Sequence, residues 1–113
     1  MHNKIVEVLE GLSIDLGFME YTGNAKEYII FNIYNEEETN HCDDNNMSDT
    51  YYISLNYWFN SLENINKYKK IKELMKSNKF IFNGSKDLKD GSYYGKNMDF
   101  IYVDFEKEGV LNG

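Results

Sequence analysis

Arginine and proline are absent from this sequence of 113 residues, and cysteine occurs only once, as Cys42. A single cysteine excludes a disulfide within the chain and gives no sign of an oxidising compartment. Because all 12 basic residues are lysine, no guanidinium group is available to bind a carboxylate or phosphate through two parallel hydrogen bonds. A coding bias toward A and T would explain the missing residues, and the 15 asparagines, as well as selection would.

Long apolar runs are missing too. No stretch approaches the ~18 residues of a membrane span. The first residues lead into an amphipathic pattern and not into the core of a signal peptide. We therefore expect a protein that is made in the cytoplasm and has no membrane partner. With 42% hydrophobic and 27% charged residues, the chain is predicted to form one globular domain over 1–113, with a core over about 3–105 and a flexible tail at 106–113.

Groups suited to catalysis or metal binding are few. Residues 41–44, His-Cys-Asp-Asp, carry ligand chemistry, but structural zinc sites usually draw pairs of ligands from two separate places. The acids in this run also lack the glycine and glutamate spacing of a calcium loop. Cys42 beside His41 is a poor nucleophile pair, because sequence neighbours rarely hold the required hydrogen-bond geometry. We expect no catalytic residue, no metal and no cofactor, and hence no enzyme.

The net charge of −7 argues against a specific nucleic-acid partner. The charge is also uneven, since residues 64–89 hold eight lysines and two acids, and the remainder holds four lysines and 17 acids. One interpretation is a solvated basic helix on an acidic protein. The other is a subunit with two unlike surfaces, whose basic patch meets an acidic patch on a neighbouring copy.

The most regular pattern lies at residues 50–59, Thr-Tyr-Tyr-Ile-Ser-Leu-Asn-Tyr-Trp-Phe. Its side chains alternate for ten positions, with Ile53 and Leu55 on one side and Tyr52 and Trp58 on the other. A period of two with aromatic and β-branched residues is typical of a β-strand. We predict a central strand with one core face and a second face of mixed, partly aromatic character.

The flanking patterns predict an α+β fold in the order α-β-β-β-α-β-β. Apolar spacing of three and four predicts a helix over 2–13, capped by Asn3, and a second helix over 64–78 that buries Ile65. Both helices are expected on one face of a mainly antiparallel sheet of four to five strands, burying Phe31, Ile53 and Ile101. The other strands are predicted at 17–21, 27–34, 80–82 and 97–105, with a polar connection over 86–95.

The polar segment 35–49 separates the second strand from the central one. It is too long for an ordinary hairpin loop, and loops of this length are usually functional or disordered. It contains acids and no lysine, so its charges repel one another. We predict a long hairpin with an acidic, mobile tip that becomes ordered against a partner.

The sheet face away from the helices is the main indication of function. It is predicted to carry several aromatic side chains interrupted by asparagine and serine, a composition typical of protein–protein interfaces. A solvated antiparallel face would be more polar. The alternative is that a helix or the curl of the sheet covers this face. Its expected members are Tyr28, Ile30, Tyr34, Tyr52, Trp58, Met98, Phe100 and Tyr102.

Short motifs follow the first amphipathic helix in a fixed order. They are Glu-Tyr-Thr-Gly-Asn at 20–24, Tyr-Ile-Ile-Phe-Asn-Ile-Tyr at 28–34, an acidic loop with Asp43 and Asp44, the strand at 51–58, Lys-Ile-Lys-Glu-Leu-Met at 70–75, Asp87, Tyr94-Gly95, and Met-Asp-Phe-Ile-Tyr at 98–102. In order and spacing, over roughly residues 3–105, the chain resembles the small tail-completion proteins of long-tailed bacteriophages, also called tail terminators or head–tail joining proteins.

The resemblance implies an α+β subunit of the virion that forms a ring, commonly of six copies, at the head–tail junction. The implied partners are further copies of the chain, the tail-tube protein and the head connector protein. No catalytic residue is implied. The lack of arginine departs from the usual composition of interfaces, so lysine would have to take its place.

Two classes of function remain open: the structural ring protein, and a small non-enzymatic binding or regulatory protein, such as a phage-encoded inhibitor or acidic decoy of a host factor. Either class would act through surface contacts. The candidate interaction residues are Tyr28, Tyr34, Asp43, Asp44, Tyr52, Trp58, Lys67, Lys70 and Lys72.

Overall fold

The computed structural model describes residues 1–41 and 46–105. These residues form one mixed sheet of five strands with two α-helices, which confirms the predicted α+β class and element order. Short 3₁₀ turns at Glu10–Leu12 and Leu62–Asn64 follow α1 and β3. The elements are α1 (His2–Leu9), β1 (Asp15–Phe18), β2 (Glu27–His41), β3 (Asn46–Phe59), α2 (Tyr68–Ser77), β4 (Ile81–Asp90) and β5 (Tyr93–Asp104).

The strands lie side by side in the order β1-β2-β3-β5-β4. β1 runs parallel to β2, and every other neighbouring pair is antiparallel. The predicted central strand is therefore central, with β2 on one side and β5 on the other. Within the described part of the chain, no helix is long and apolar enough to cross a membrane.

Both helices contribute to one hydrophobic core on a single face of the sheet. α1 places Ile5 and Leu9 in this core, and α2 adds Ile71 and Met75, all with no exposed surface. They pack with the inward residues of β2 and β3, as the alternating pattern predicted. The fully or almost fully buried hydrophobic residues of the strands are Ile29, Phe31, Ile53, Leu55, Tyr57, Phe59, Met98 and Phe100.

The predicted face of β5 was wrong. Phe100 and Met98 pair with Ile53 and Leu55 and have no exposed surface, so they lie in the core. Ile101, predicted to be buried with Ile53, instead pairs with Tyr52 on the opposite face. The error has a physical cause, because each alternating set contains adjacent apolar residues, Met98 and Phe100 in one and Ile101 and Val103 in the other, and periodicity alone could not choose between them.

The segment predicted as a long loop is mostly strand. The ladder between β2 and β3 continues from Asn35 opposite Tyr52 to His41 opposite Asn46. Its backbone hydrogen bonds need no apolar side chains, so a polar hairpin gave no strand pattern in the sequence. We call this two-stranded extension the arm. Cys42, Asp43 and Asp44 lie outside the described residues, as does the tail at 106–113.

The strand predicted at 80–82 is longer than expected and continues into the segment predicted as a polar connection. β4 runs on to Asp90 after an irregularity between Phe82 and Ser85, where Gly84 adopts a φ of 105°. A second positive φ of 58°, at Gly91, allows the tight turn into β5. β4 is an edge strand with mostly exposed side chains, so hydrophobic alternation is too weak to mark its residues 83–90 as strand in the sequence.

The helix ends also differ from the prediction. The structure gives α1 an N-cap at Met1 without a side-chain cap, so the predicted cap Asn3 was wrong. Ser61 caps the 3₁₀ turn at Leu62–Asn64, where its hydroxyl accepts a hydrogen bond from the Glu63 amide at 3.4 Å. α2 begins later, at Tyr68, and Ile65 is 48% exposed instead of buried.

Candidate functional site

The sheet face opposite the two helices is the candidate site, and we call it the open face. Because paired residues point the same way, the register places Tyr28 with Trp58, Ser54 with Asp99, and Tyr52 with Ile101 on this side. In the described part of the chain no helix covers it, since both helices pack into the core on the other side. The predicted residues Tyr28, Tyr52 and Trp58 therefore do share one surface.

One end of the open face is an aromatic group. The rings of Tyr21 and Tyr28 stack with centroids 4.1 Å apart, and Tyr93 lies 5.7 Å from Tyr28. Tyr21 is fixed further, because its hydroxyl donates to Asp15 at 2.7 Å and accepts from the Ala25 amide at 2.9 Å. The hydrogen bond to Asp15 is the largest cause of a raised pKa at Tyr21. These rings are held in place before any partner binds.

Trp58 lies beside this group, and the position of its ring requires a glycine opposite it. A β-carbon at Gly95, its partner across the ladder, would come within 2.8 Å of two atoms of the indole ring and 3.1 Å of the β-carbon of Leu88. The indole therefore occupies the space that a side chain at position 95 would need. Trp58 is only partly buried, so part of the ring remains available on the surface.

The centre of the open face is a small amide network. The side-chain nitrogen of Asn97 donates to the Ser54 hydroxyl at 3.0 Å and to the Asn56 carbonyl oxygen at 2.7 Å. Asn97 is only 8% exposed, although it carries a fully polar side chain. Buried polar groups are tolerated where they are hydrogen-bonded, and this one uses both of its amide donors within the chain.

The other end of the open face carries Tyr34 and Tyr52, whose ring centroids are 6.2 Å apart. Tyr34 sits at an irregularity in β2 between Ile33 and Asn35, where one residue has no partner in β3. It is 51% exposed. Desolvation, followed by the nearby carboxylate of Asp99, raises the pKa of its hydroxyl. The bulge thus directs a tyrosine onto the same face as Tyr52.

The three predicted lysines do not form one patch. Lys67 binds Glu27, with its Nζ 2.8 Å from Oε1, and Lys72 lies 4.2 Å from the centroid of the Phe82 ring, on the β4 side. Lys70 is exposed on α2. Lys67 is therefore held in a contact at the start of β2, away from the side on which Lys72 lies.

The Lys67 contact is part of a partly buried triad under the helices. Glu27 accepts from Lys67 and also, through Oε2 at 2.5 Å, from the hydroxyl of Tyr57. Burial alone would raise the pKa of Glu27, but these two hydrogen bonds lower it below its ordinary value. Burial and the bond to Glu27 raise the pKa of Tyr57 well above its ordinary value. This arrangement ties the segment after β3 to the start of β2.

Sequence reasoning missed several members of the open face. Asn97, Asp99 and Gly95 belong to it because the predicted face of β5 was inverted. The charge of Asp99 could have indicated that its side of β5 is exposed, because a carboxylate is rarely buried without a partner.

Sequence reasoning also missed a cavity of about 350 Å³ beside the 3₁₀ turn, to which the exposed side chains of Leu62 and Ile65 contribute.

The chemistry available at the open face is that of binding. Its side chains offer aromatic surface, internally satisfied amides and the carboxylate of Asp99. Among the described residues, no group of three or more histidine, cysteine, aspartate or glutamate side chains could hold a metal ion. His41 contributes backbone to the end of β2.

Comparison with known proteins adds no family to these observations. No protein-family model matches the chain. No curated protein matches it significantly.

Proposed function

We propose that this chain is a structural, non-enzymatic subunit of a bacteriophage tail, which forms a ring at the end of the tail tube and joins the tube to the head connector. The observation that carries the proposal is the open face, an aromatic sheet surface that no helix of the described chain covers. The family resemblance in motif order supplies the setting. The open face supplies the contact surface that a ring subunit needs.

The composition of the open face supports a protein partner. Tyrosine and tryptophan are enriched where protein interfaces gain most of their binding energy, and Tyr28, Tyr52 and Trp58 are all partly buried before association. A face made only for water would carry more charge. On the two strands β3 and β5, Asp99 is the one charged residue of this face, and further charges lie on the flanking strands, at Asp15, Lys86 and Asp90.

Preorganisation is the second support. Association is weakened when side chains must be immobilised, at about 0.5–1.5 kcal/mol for each rotamer-rich chain. On the open face, Tyr28 stacks on Tyr21 and the ring of Trp58 packs against Gly95. The side chain of Asn97 is held by two hydrogen bonds. A rigid partner such as the end of a tube would meet a surface that is already ordered.

The test uses purified tail tubes and electron microscopy of their ends. Wild-type protein is expected to cap the tubes, and tubes capped in this way should join heads. Tyr34→Ser and Tyr52→Ala should reduce capping strongly, because both side chains lie on the open face and neither has its ring fully buried. Ile65→Ser is the matched control, since it removes an exposed apolar side chain outside this face.

Two outcomes would contradict the proposal. The first is that tube ends stay bare in the presence of excess protein, and that heads join tails equally well without it. The second is that the open-face variants and the Ile65 control cap tubes equally well. A stable monomer that captures one host protein would instead support the small binding or regulatory protein.

A further inference from the structure

The sheet ends at β4, whose outer side has no neighbouring strand within the described residues. After the irregularity near Gly84, residues 85–90 pair with β5 without interruption, from Ser85 opposite Met98 to Asp90 opposite Tyr93. Their side chains are exposed, apart from that of Leu88, which is partly buried. This stretch therefore presents a regular row of backbone groups on which another strand can pair.

The charges of this stretch are arranged symmetrically about Leu88. Residues 86–90 are Lys-Asp-Leu-Lys-Asp, with two lysines and two aspartates. A second copy of the strand, antiparallel and aligned on Leu88, places Lys89 opposite Asp87 and Asp90 opposite Lys86, and the two-fold axis repeats both pairs. Opposite charges across a ladder stabilise it. Lysines on an edge strand ordinarily discourage pairing, but here each lysine meets an aspartate.

Charge and backbone geometry together specify one register. Moving the axis by one residue, to Asp87 or to Lys89, places that residue opposite its own copy, so like charges meet and destabilise the pair. An axis between two residues fails for another reason. It would join a residue whose backbone groups face β5 with one whose groups face outward, and antiparallel partners require the same orientation.

The four charged side chains are accessible for such contacts. Asp87 accepts a hydrogen bond from Lys96 at 2.6 Å, yet 86% of its side chain remains exposed, and a carboxylate can accept a second lysine as well. Lys89 donates to the carbonyl of Gly91, which uses one of its three donors. Lys86 and Asp90 are exposed on the other side of the strand.

Apolar surface borders the same stretch. Asp87 and Lys89 line the cavity of about 350 Å³, together with the exposed side chains of Leu62 and Ile65. A second copy that pairs along β4 lies beside this cavity. Association would therefore remove apolar area from water as well as satisfy the free backbone groups of the edge.

We propose that two copies of the chain associate through β4, in an antiparallel pairing centred on Leu88, so that the sheet continues from one copy into the other. Backbone hydrogen bonds supply the contact, and the charge pairs fix its register. The contact is isologous and is complete with two copies. It goes beyond the proposed function, because it does not build the ring and describes the protein away from the tail tube.

The first experiment mixes two charge-reversed variants. Lys86→Asp leaves aspartate at both 86 and 90, and Asp90→Lys leaves lysine at both. Each variant alone sets like charges opposite one another twice, so it should dimerise about tenfold more weakly than the wild type in analytical ultracentrifugation. An equal mixture should recover wild-type affinity as a heterodimer. Lys70→Asp and Glu7→Lys, exposed and outside β4, are the controls for net charge and should dimerise normally.

The second experiment tests the register by cross-linking, in a Cys42→Ser background that removes the one native cysteine. Leu88→Cys lies opposite its own copy, about 4.5–5.5 Å away between α-carbons, which a disulfide can span. It should give a linked dimer under mild oxidation. Ser85→Cys is the control, because it is more exposed but lies about 20 Å from its own copy in this register, and it should stay unlinked.

Hydrogen exchange on the wild type needs no variant. As the protein concentration rises through the dimerisation range, outward-facing amides of residues 85–90 should gain protection, because they become hydrogen-bonded to the second copy. Amides of β3, which pairs with a strand on each side, should not change with concentration.

Four results would overturn the inference. They are a wild-type protein that sediments as a monomer up to its highest soluble concentration, folded charge variants that do not recover dimerisation on mixing, a disulfide that forms as readily at 85 as at 88, and dimerisation without added protection in residues 85–90. Capping of tail tubes is measured separately, so this contact and the proposed function can fail independently.

Discussion

The indole ring of Trp58 lies against Gly95, so closely that a β-carbon at the glycine would come within 2.8 Å of two ring atoms. The two residues are opposite one another on β3 and β5. A glycine in a strand often marks such a close approach. The contact fixes the position of the one tryptophan on the candidate binding face.

Gly95→Ala should therefore destabilise the protein by about 1–3 kcal/mol, the usual cost of overpacking. Urea denaturation of the variant and the wild type measures this cost. In a Trp58→Leu background the same substitution should cost much less, because the ring that it displaces is gone. Equal costs in both backgrounds would show that the glycine is needed for another reason.

The corrected face of β5 gives a second prediction. Phe100→Ala should cost about 3–5 kcal/mol, because Phe100 has no exposed surface. Ile101→Ala, one residue further on, should cost clearly less, because that side chain is only partly buried. Leu55→Ala, also fully buried, should fall in the range of about 2–5 kcal/mol. A larger cost at Ile101 than at Phe100 would show that the opposite face of β5 is the buried one.

The Glu27 triad makes stability depend on pH at low pH. Because the pKa of Glu27 is lowered in the folded protein, its contribution is present above the ordinary value of 4.5 and is lost as the pH falls through the folded value. The difference in unfolding free energy between wild type and Glu27→Gln should shrink on acidification from neutral pH. Thermal melts of both proteins over that range measure it. A difference that stays constant would contradict the triad's role.

Tyr57 makes the opposite prediction at high pH. Its folded pKa is raised, so its contribution is present below the ordinary value of 10.0 and is lost as the pH rises above it, where the unfolded tyrosine ionises. The stability difference between wild type and Tyr57→Phe should therefore narrow above pH ~10. Tyr52→Phe is the control, because that side chain lies on the open face, opposite Ile101 and away from Glu27.

The arm gives a prediction about dynamics. Amides of residues 35–37 and 50–52 should exchange more slowly than in an unstructured chain, because Asn35 and Glu37 face Tyr52 and Thr50 across the ladder. Hydrogen exchange monitored by NMR on dilute, monomeric protein measures this. Exchange at the unstructured rate along this whole stretch would favour the mobile loop expected from composition.

The parts of the fold that could be predicted are those whose sequence places apolar residues on one face only. Residues 50–59 of β3 alternate between apolar and mixed positions, so the core face was assigned correctly to Ile53 and Leu55. α1 and α2 have strong apolar stripes, so their existence and packing face followed from spacing. In each case hydrophobic burial is the force that both shapes the pattern and decides the structure.

The parts that could not be predicted lack such a pattern. β5 has apolar residues on both sides, and the arm and residues 83–90 of β4 are mostly polar on both sides, so periodicity could not distinguish the faces of β5 or detect the other two segments as strands. Their positions are set by backbone pairing with β3 and β5. The same holds for the candidate site. Its residues on β2 and β3 were predicted, and its residues Asn97 and Asp99 on β5 were not.

The amide network at Asn97 has a consequence for desolvation. A partner that covers the centre of the open face would strip water from Asn97, Ser54 and Asn56. Ordinarily that costs free energy, because polar groups lose hydrogen bonds to solvent. Asn97 already gives both amide hydrogens to its neighbours within the chain. Covering Asn97 on binding therefore costs little, because its donors lose no hydrogen bond to water, whereas the Asp99 carboxylate opposite Ser54 would need a donor from the partner.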